Sequence, residues 1–300
     1  MKKIFVLGSL NIDLSIGCDY FPIPGETVIG RDFISNPGGK GANQAVAAAK
    51  AGATVIMLGA VGNDFFGKLL KKNLQKYNIN NHHVVVKNCP TGVAIIIIND
   101  QNNRIVLDSG ANYQYEYADF AKILTKLAKP GDYFVTQLEN RIDVVKAGLA
   151  LAKKLEMVTV LNPAPAFLLD DHLLNSCDYI IPNENESYIL SNLNNEKVEK
   201  LIKYFLGKGI KNVIITLGEK GCAFSNGDKV NYVEAKKTIV VDTTAAGDTF
   251  IGSLVAKLAE NCDLETAVNY ANVASALAIT RQGAQQSIPT RQEVEKHFKN

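Results

Sequence analysis

A chain of 300 residues with 47% hydrophobic content can bury a large core, and α/β folds of this size commonly form one domain. The 32 Lys and Arg against 30 Asp and Glu leave a formal net charge of +2, so no charge excess points to nucleic acid or to a membrane surface. Cys18, Cys89, Cys177, Cys222 and Cys262 are widely scattered with no Cys-x-x-Cys pair, which argues against a metal finger and for reduced thiols in a cytosolic, cytoplasmic protein.

The first segment, Met1-Lys2-Lys3-Ile4-Phe5-Val6-Leu7, has the lysines and apolar run of a signal peptide. Asn11 and Asp13 break the run early and no small-residue cleavage site follows, so it is read as the first core strand. Residues 13–36 have the look of extended hairpin material. A glycine-rich stretch then leads into residues 45–51, a helix whose faces are nearly all small. Residues 55–60 read as a strand and 65–77 as an amphipathic helix. A second hairpin covers 91–107, with 93–98 and 104–107 flanking the polar turn Asn99-Asp100-Gln101-Asn102-Asn103. Strand 133–138, helix 142–155 and strand 158–161 follow, and segments 179–182, 198–206 and 213–217 continue the alternation. Residues 238–241, Thr-Ile-Val-Val, are β-branched and read as a buried strand. Helices at 251–260, 264–281 and 290–298 close the chain. No apolar stretch approaches the length of a membrane span. There is no linker and no internal repeat. Strands alternating with helices predict an α/β fold, a mostly parallel central sheet with helices on both faces, as a single domain over 1–300.

Two segments carry chemistry. Asp242-Thr243-Thr244-Ala245-Ala246-Gly247-Asp248-Thr249-Phe250 ends a strand pattern and opens a helix. A helix start built from small residues presents bare N–H groups and the positive end of the helix dipole, which suits an anion. Asp248 is then an odd choice, a fixed carboxylate where a phosphate would bind best. One reason to place it there is to take a proton from a hydroxyl while the neighbouring N–H groups hold the phosphoryl group that the hydroxyl attacks; the plainer alternative is a helix cap. In Asn36-Pro37-Gly38-Gly39-Lys40-Gly41-Ala42-Asn43-Gln44, three glycines around a lysine allow backbone to approach a ligand closely. No Gly-Lys-Ser/Thr follows, so this is not a Walker A loop, and Gln44 stands where Gly-x-Gly-x-x-Gly needs its last glycine. A glycine turn capping an alanine-rich packing helix accounts for it equally well.

Together these two segments resemble the two signature motifs of the ribokinase-like (PfkB) family of sugar and nucleoside kinases. The resemblance runs almost end to end, from Gly8-Ser9-Leu10-Asn11-Ile12-Asp13 through Asn162-Pro163-Ala164-Pro165-Ala166 to Thr280-Arg281-Gln282-Gly283-Ala284-Gln285. It implies a Rossmann-like fold whose inserted segments, approximately 13–36 and 91–107, form a small β-sheet lid over the sugar, and pair in a homodimer. It implies transfer of a phosphoryl group from MgATP to O5 of D-ribose. Another furanose, 2-deoxyribose or a nucleoside among them, and a non-catalytic sugar-binding regulator, are the alternatives.

The site residues follow by likeness. Asn11, Asp13, Gly39, Lys40, Asn43 and Glu139 fall on sugar-contacting positions, although Asn11 and Asp13 alone would read as an ordinary Asx turn and Glu139 as a solvated carboxylate. Asp248 falls on the base, with the N–H groups of Ala245, Ala246 and Gly247 facing the transferring phosphoryl group. Lys40 could touch either the phosphoryl group or the sugar. Thr216-Leu217-Gly218-Glu219-Lys220-Gly221 falls on the ATP side, with Asn183 ahead of it and Asn272 near the adenine. Asn183 and Glu186 match the family's Asn-x-x-Glu motif, associated with Mg2+ and phosphate, and a carboxylate near a water-rich Mg2+ is chemically sensible. Alone, Glu186 reads as a first-turn helix residue stabilised by the dipole. Asp242, Thr244, Ala278, Arg281, Gly283 and Ser287 fall on the positions that hold a monovalent cation, K+, several through backbone carbonyls. The loop reads Ala-Ala-Gly-Asp where many relatives have Gly-Ala-Gly-Asp.

Overall fold

The strands of the computed structural model, which describes residues 2–99, 102–227 and 229–298, are β1 (Lys3–Leu7), β2 (Asn11–Gly17), β3 (Arg31–Gly38), β4 (Thr54–Gly62), β5 (Val84–Lys87), β6 (Gly92–Ile98), β7 (Asn103–Asp108), β8 (Tyr133–Thr136), β9 (Val158–Leu161), β10 (Tyr179–Ile180), β11 (Asn212–Thr216), β12 (Cys222–Asn226) and β13 (Lys229–Val233). The helices are α1 (Lys40–Lys50), α2 (Phe65–Lys76), α3 (Tyr117–Leu127), α4 (Ile142–Lys154), α5 (Asp171–Asn175), α6 (Glu184–Ser191), α7 (Val198–Gly207), α8 (Ala246–Ala259), α9 (Leu264–Ala278) and α10 (Arg291–Phe298).

Nine strands form one sheet in the order β13-β12-β11-β10-β9-β8-β1-β4-β5. From β11 to β5 the pairing is parallel, and the hairpin β12–β13 closes one edge antiparallel. Alternation along β1 explains the layering. Ile4 and Val6 point into one core with α1, α2, α8, α9 and α10, while Phe5 and Leu7 point into a second core with α3, α4, α5, α6 and α7. Among the described residues no helix is long and apolar enough to cross a membrane.

A second sheet, β3-β2-β6-β7, stands off the first. Asp13 pairs in register with Asn36 and Ala94, and Ala94 with Leu107, so these share one face; Leu14, Ile95 and Val106 share the other. Its base is pinned by Asp64, the α2 N-cap, which accepts from Gly67 N as well as from Thr91 N and Oγ1. The two segments read as hairpins therefore come together, through the parallel pairing of β2 with β6. Asp100 and Gln101, in the turn expected between β6 and β7, lie outside the described residues.

Three local expectations are corrected. Residues 238–241 form no strand and are not buried: Ile239, Val240 and Val241 are 84%, 58% and 59% exposed. β13 is already the sheet edge, so no partner strand receives them, and β propensity without a partner does not make a strand. The backbone is held instead by Val241 N and Asp242 N, which both donate to Ile279 O. Second, α1 begins at Lys40 and α8 at Ala246, each several residues ahead of expectation, and the two helices pack closely through small residues. Gly252 of α8 shows this: a Cβ there would lie 2.4 Å from Gln44 O and 2.5 Å from Ala47 Cβ. Third, Asn11 and Asp13, which taken alone read as a turn after β1, belong to β2 of the second sheet.

Candidate active site

Open α/β sheets bind ligands beyond the carboxyl ends of their strands. Here Ser9 follows β1, Gln137 and Glu139 follow β8, Asn162 follows β9, Asn183 follows β10, and Thr216 ends β11. A cleft of about 220 Å³ lies over the ends of β9, β10 and β11, walled by Lys40, Asn162, Asn183, Glu186, Thr216 and residues 245–248; Asn11, Asp13, Gly39, Asn43 and Glu139 do not line it.

Asp248 sits in the first turn of α8, buried. Oδ2 accepts from Asn43 Nδ2 and Oδ1 from Gln44 Nε2, both at 3.0 Å. No side chain caps α8; its N-cap, Ala245, is left-handed with φ +58°, a conformation that costs an L-residue roughly 1–2 kcal/mol. The N–H of Ala246 donates to Thr243 O at 3.2 Å, a long bond.

The N-terminus of α1 is satisfied by residues from far along the chain. Lys40 N donates to Glu139 Oε2 (3.2 Å), Gly41 N to Ser9 Oγ (3.3 Å) and Ala42 N to Ser9 O (3.0 Å). Ser9 Oγ in turn donates to Glu139 Oε2 at 2.5 Å. Glu139 is thus no solvated carboxylate but a helix cap held beside the cleft. Gly39, the N-cap, has φ +87°, available to glycine at no steric cost.

Burial, with the negative charges of Glu139 and Asp248, pushes the Asp13 carboxyl up to about 7 against the opposing pull of Lys40. Burial opposes the charge on Lys40, but Asp248, Glu139, Glu186 and Asp13 together hold its ammonium above the ordinary value. The site therefore places four carboxylates around one lysine. Asn11 Oδ1 accepts from Asn112 Nδ2 (2.7 Å), and Asn112 Oδ1 accepts from Leu10 N.

On the other wall, Asn183 Oδ1 accepts from Glu186 N (2.7 Å) and Glu186 Oε2 from Asn183 N (2.8 Å), a capping box at the start of α6. Burial lifts the Glu186 carboxyl above its ordinary value, with Asp248 adding to this and the Asn183 N–H and Lys40 opposing it. The reading of Glu186 as a first-turn residue holds, and the same carboxylate faces the cleft. Asp242 joins two segments: Oδ1 accepts from Thr244 N and Oδ2 from Gly283 N, each at 2.8 Å. Although burial opposes its charge, these bonds draw its carboxyl below the ordinary value.

Some expected residues are not gathered in. Thr216 lines the cleft, whereas Leu217, Gly218, Glu219, Lys220 and Gly221 do not; they close a tight turn, Leu217 N on Gly221 O (2.8 Å). Gly221 is required by the protein itself, since a Cβ would meet Val233 O at 2.0 Å. Asn272 also stands off the cleft wall, its Nδ2 donating to Glu234 O at 2.7 Å. The Arg281 side chain pairs with Glu293 at 2.6 Å, Ala278 O accepts from Arg281 N, and Ser287 Oγ donates to Ala284 O. Sequence reasoning missed Gln44, Asn112, Gln137, Asn162 and Gln285. The available signal was a glutamine on a helix otherwise lined with alanine.

The profile described as pfkB family carbohydrate kinase matches residues 1–291, and the chain belongs to that family. It is 40% identical to the ribokinase of Haemophilus influenzae over 97% of each chain. Among solved structures, ribokinase from Thermotoga maritima superposes with a TM-score of 0.91 at 36% identity, each chain fully covered. An Arabidopsis thaliana ribokinase complexed with ribose and ATP gives a TM-score of 0.91 at 29% identity over 100% of this chain and 99% of the other.

Proposed function

We propose that this carbohydrate kinase transfers the γ-phosphoryl group of ATP to O5 of D-ribose, giving D-ribose 5-phosphate. The observation that carries the reading is the Asp248 carboxylate, buried at the N-terminus of α8 on the wall of the cleft. The Arabidopsis relative holding ribose and ATP supports the choice of substrates.

In this reading ribose lies between β2 and the N-terminus of α1, held by Asn11, Asp13, Gly39, Lys40, Asn43 and Glu139. ATP reaches across the other wall, past Asn183, Glu186 and Thr216, with the turn 217–221 and Asn272 bordering it. Asp248 takes the O5 proton as the hydroxyl attacks. The N–H groups of Ala245, Ala246 and Gly247, at the positive end of α8, face the three oxygens of the transferring group, Ala246 by giving up its long bond to Thr243. Lys40 lies close enough to the carboxylates to be charged throughout, and balances them as negative charge moves from donor to acceptor.

Glu186 fits a hydrated Mg2+: it faces the cleft with its charge penalised by burial, a cost that a cation lifts. When bound, the ion neutralises charge on the phosphates. Asp242 and the carbonyls of Thr244, Ala278, Arg281, Gly283 and Ser287 offer only hard oxygen donors. Among the described residues no cluster of His, Cys, Asp and Glu competes as a metal site, so the K+ assignment rests on those carbonyls, and a cation there orders the loop from Asp242 to Asp248. The unpaired cysteines support a cytoplasmic enzyme, acting as a single kinase unit under its lid.

ADP release measured across pentoses, hexoses and nucleosides tests the assignment. D-ribose is expected to give the highest kcat/KM, and a preference for 2-deoxyribose or a nucleoside would overturn it. Asp248→Asn is expected to lower kcat by roughly 10²- to 10⁴-fold with sugar and nucleotide binding retained; a variant keeping a tenth of the rate or more removes Asp248 from the role of base.

A further inference from the structure

Two chains of side-chain amides end on the two oxygens of Asp248. In the first, Gln137 Nε2 donates to Gln44 Oε1 (2.6 Å), and Gln44 Nε2 donates to Asp248 Oδ1 (3.0 Å). In the second, Asn73 Nδ2 donates to Gln285 Oε1 (2.5 Å), Gln285 Nε2 to Asn43 Oδ1 (3.1 Å), and Asn43 Nδ2 to Asp248 Oδ2 (3.0 Å). Along both chains each linking N–H points toward the carboxylate. Each amide therefore polarises the next, and the last donor in each chain bonds a charged acceptor, the stronger kind of hydrogen bond.

The links are locked from outside as well. The second N–H of Gln44 reaches Asn162 Oδ1 (3.0 Å), and Asn162 Nδ2 is itself given to Ile181 O. This fixes which end of the Gln44 amide faces Asp248. The backbone of Gln285 is held by Lys50, whose Nζ donates to Gln285 O and Ile288 O. Gln44, Gln137, Asn43 and Gln285 are all buried. Burying an amide costs stability unless every polar atom is matched, so apolar side chains would pack these positions with less risk. Packing alone gives no reason to aim both chains at one carboxylate.

We infer that Gln44 and Gln285 are positioning residues for phosphoryl transfer, Gln44 acting directly on Asp248 and Gln285 through Asn43, so that the carboxylate is fixed in rotation with its remaining lone pairs toward the cleft. The inference rests on the reading of Asp248 as the base. Gln285 also lies between Gly283 and Ser287, so the segment assigned to the cation is mechanically tied to the base.

The test is a kinetic double-mutant cycle on the full-length protein with ribose and MgATP. Gln44→Met and Gln285→Met are each expected to lower kcat about 10- to 100-fold, a share of what a positioned base contributes, with KM for both substrates within about threefold of the parent. In an Asp248→Asn background the same changes are expected to leave the residual rate unaltered, since their effect passes through the missing carboxylate. Asn73→Ala, on a half-buried residue of α2, removes only the outermost link and is expected to give a smaller loss; it carries the test if an inner variant does not fold. Unchanged kcat in all three variants, or an equal loss in the Asp248→Asn background, overturns the inference. Full activity of Asp248→Asn overturns the base assignment instead, which keeps the two failures apart.

Discussion

Asp13 is a carboxyl whose environment resists its charge. Its value stands at about 7 in the folded protein against an ordinary 3.8. Between those values the folded state keeps a proton that the unfolded chain has released, so stability falls as pH rises through that window and is lowest above it. Asp13→Asn, which cannot ionise, is expected to flatten this slope and to make the ligand-free protein more resistant to urea at pH 8 than its parent. The same variant is expected to lose about 1–3 kcal/mol of ribose binding, with ATP binding unaffected. Urea titrations at several pH values and calorimetry with each ligand check both parts, and a parent protein with no pH slope between 4 and 7 would remove Asp13 from this role. A site residue that strains the apo protein is a reasonable cost when a polyol arrives to satisfy it.

Among elements, the contact of α1 with α8 matters most, because it brings Asn43 and Gln44 onto Asp248. Both helices were legible as small-residue segments, and so were Asp248 and Lys40, whose neighbours form contiguous motifs. The amide chains were not: their bonds join residues 93 to 242 positions apart, and no periodicity marks them. Residues 238–241 failed the other way, since β-branched residues suggested burial that only a partner strand could provide. Strand β1 read correctly because cores on both faces of the sheet require a continuous apolar run, Ile4 to Leu7. Gly252→Ala tests the helix contact. The added methyl meets the backbone of α1, which cannot rotate away, so a loss of about 1–3 kcal/mol in stability is expected. The helices must separate, so kcat is expected to fall as well; a variant with lower Tm but unchanged kcat would show that Asn43 and Gln44 follow Asp248 without help from the close approach.

The whole molecule is asymmetric in how it treats apolar surface. The nine-stranded sheet is covered on both faces, whereas the lid leaves apolar side chains bare on both of its own. Ile105, 58% exposed, is on the Asp13 face, and Val106, 67% exposed, is on the other. A ribose molecule is too small and too polar to cover them. β7 is exposed along its whole length and is an edge strand, and bare apolar edges invite unwanted pairing unless a partner occupies them. A second copy of the chain, bringing the same lid by twofold symmetry, matches the patch with its own complement. On this ground we propose that the chain pairs through this sheet as a homodimer, the arrangement the family resemblance implies. Replacing Ile105 and Val106 together by Glu is expected to yield monomers by sedimentation at micromolar concentration, while surface substitutions of this kind alter folding stability by only about 0.5 kcal/mol. If the lid also depends on its partner to close, the ribose KM of the double variant is expected to rise with little change in the KM for ATP. A wild-type protein that sediments as a monomer at every concentration rules the arrangement out, and a dimer that survives both charges places its interface away from the lid.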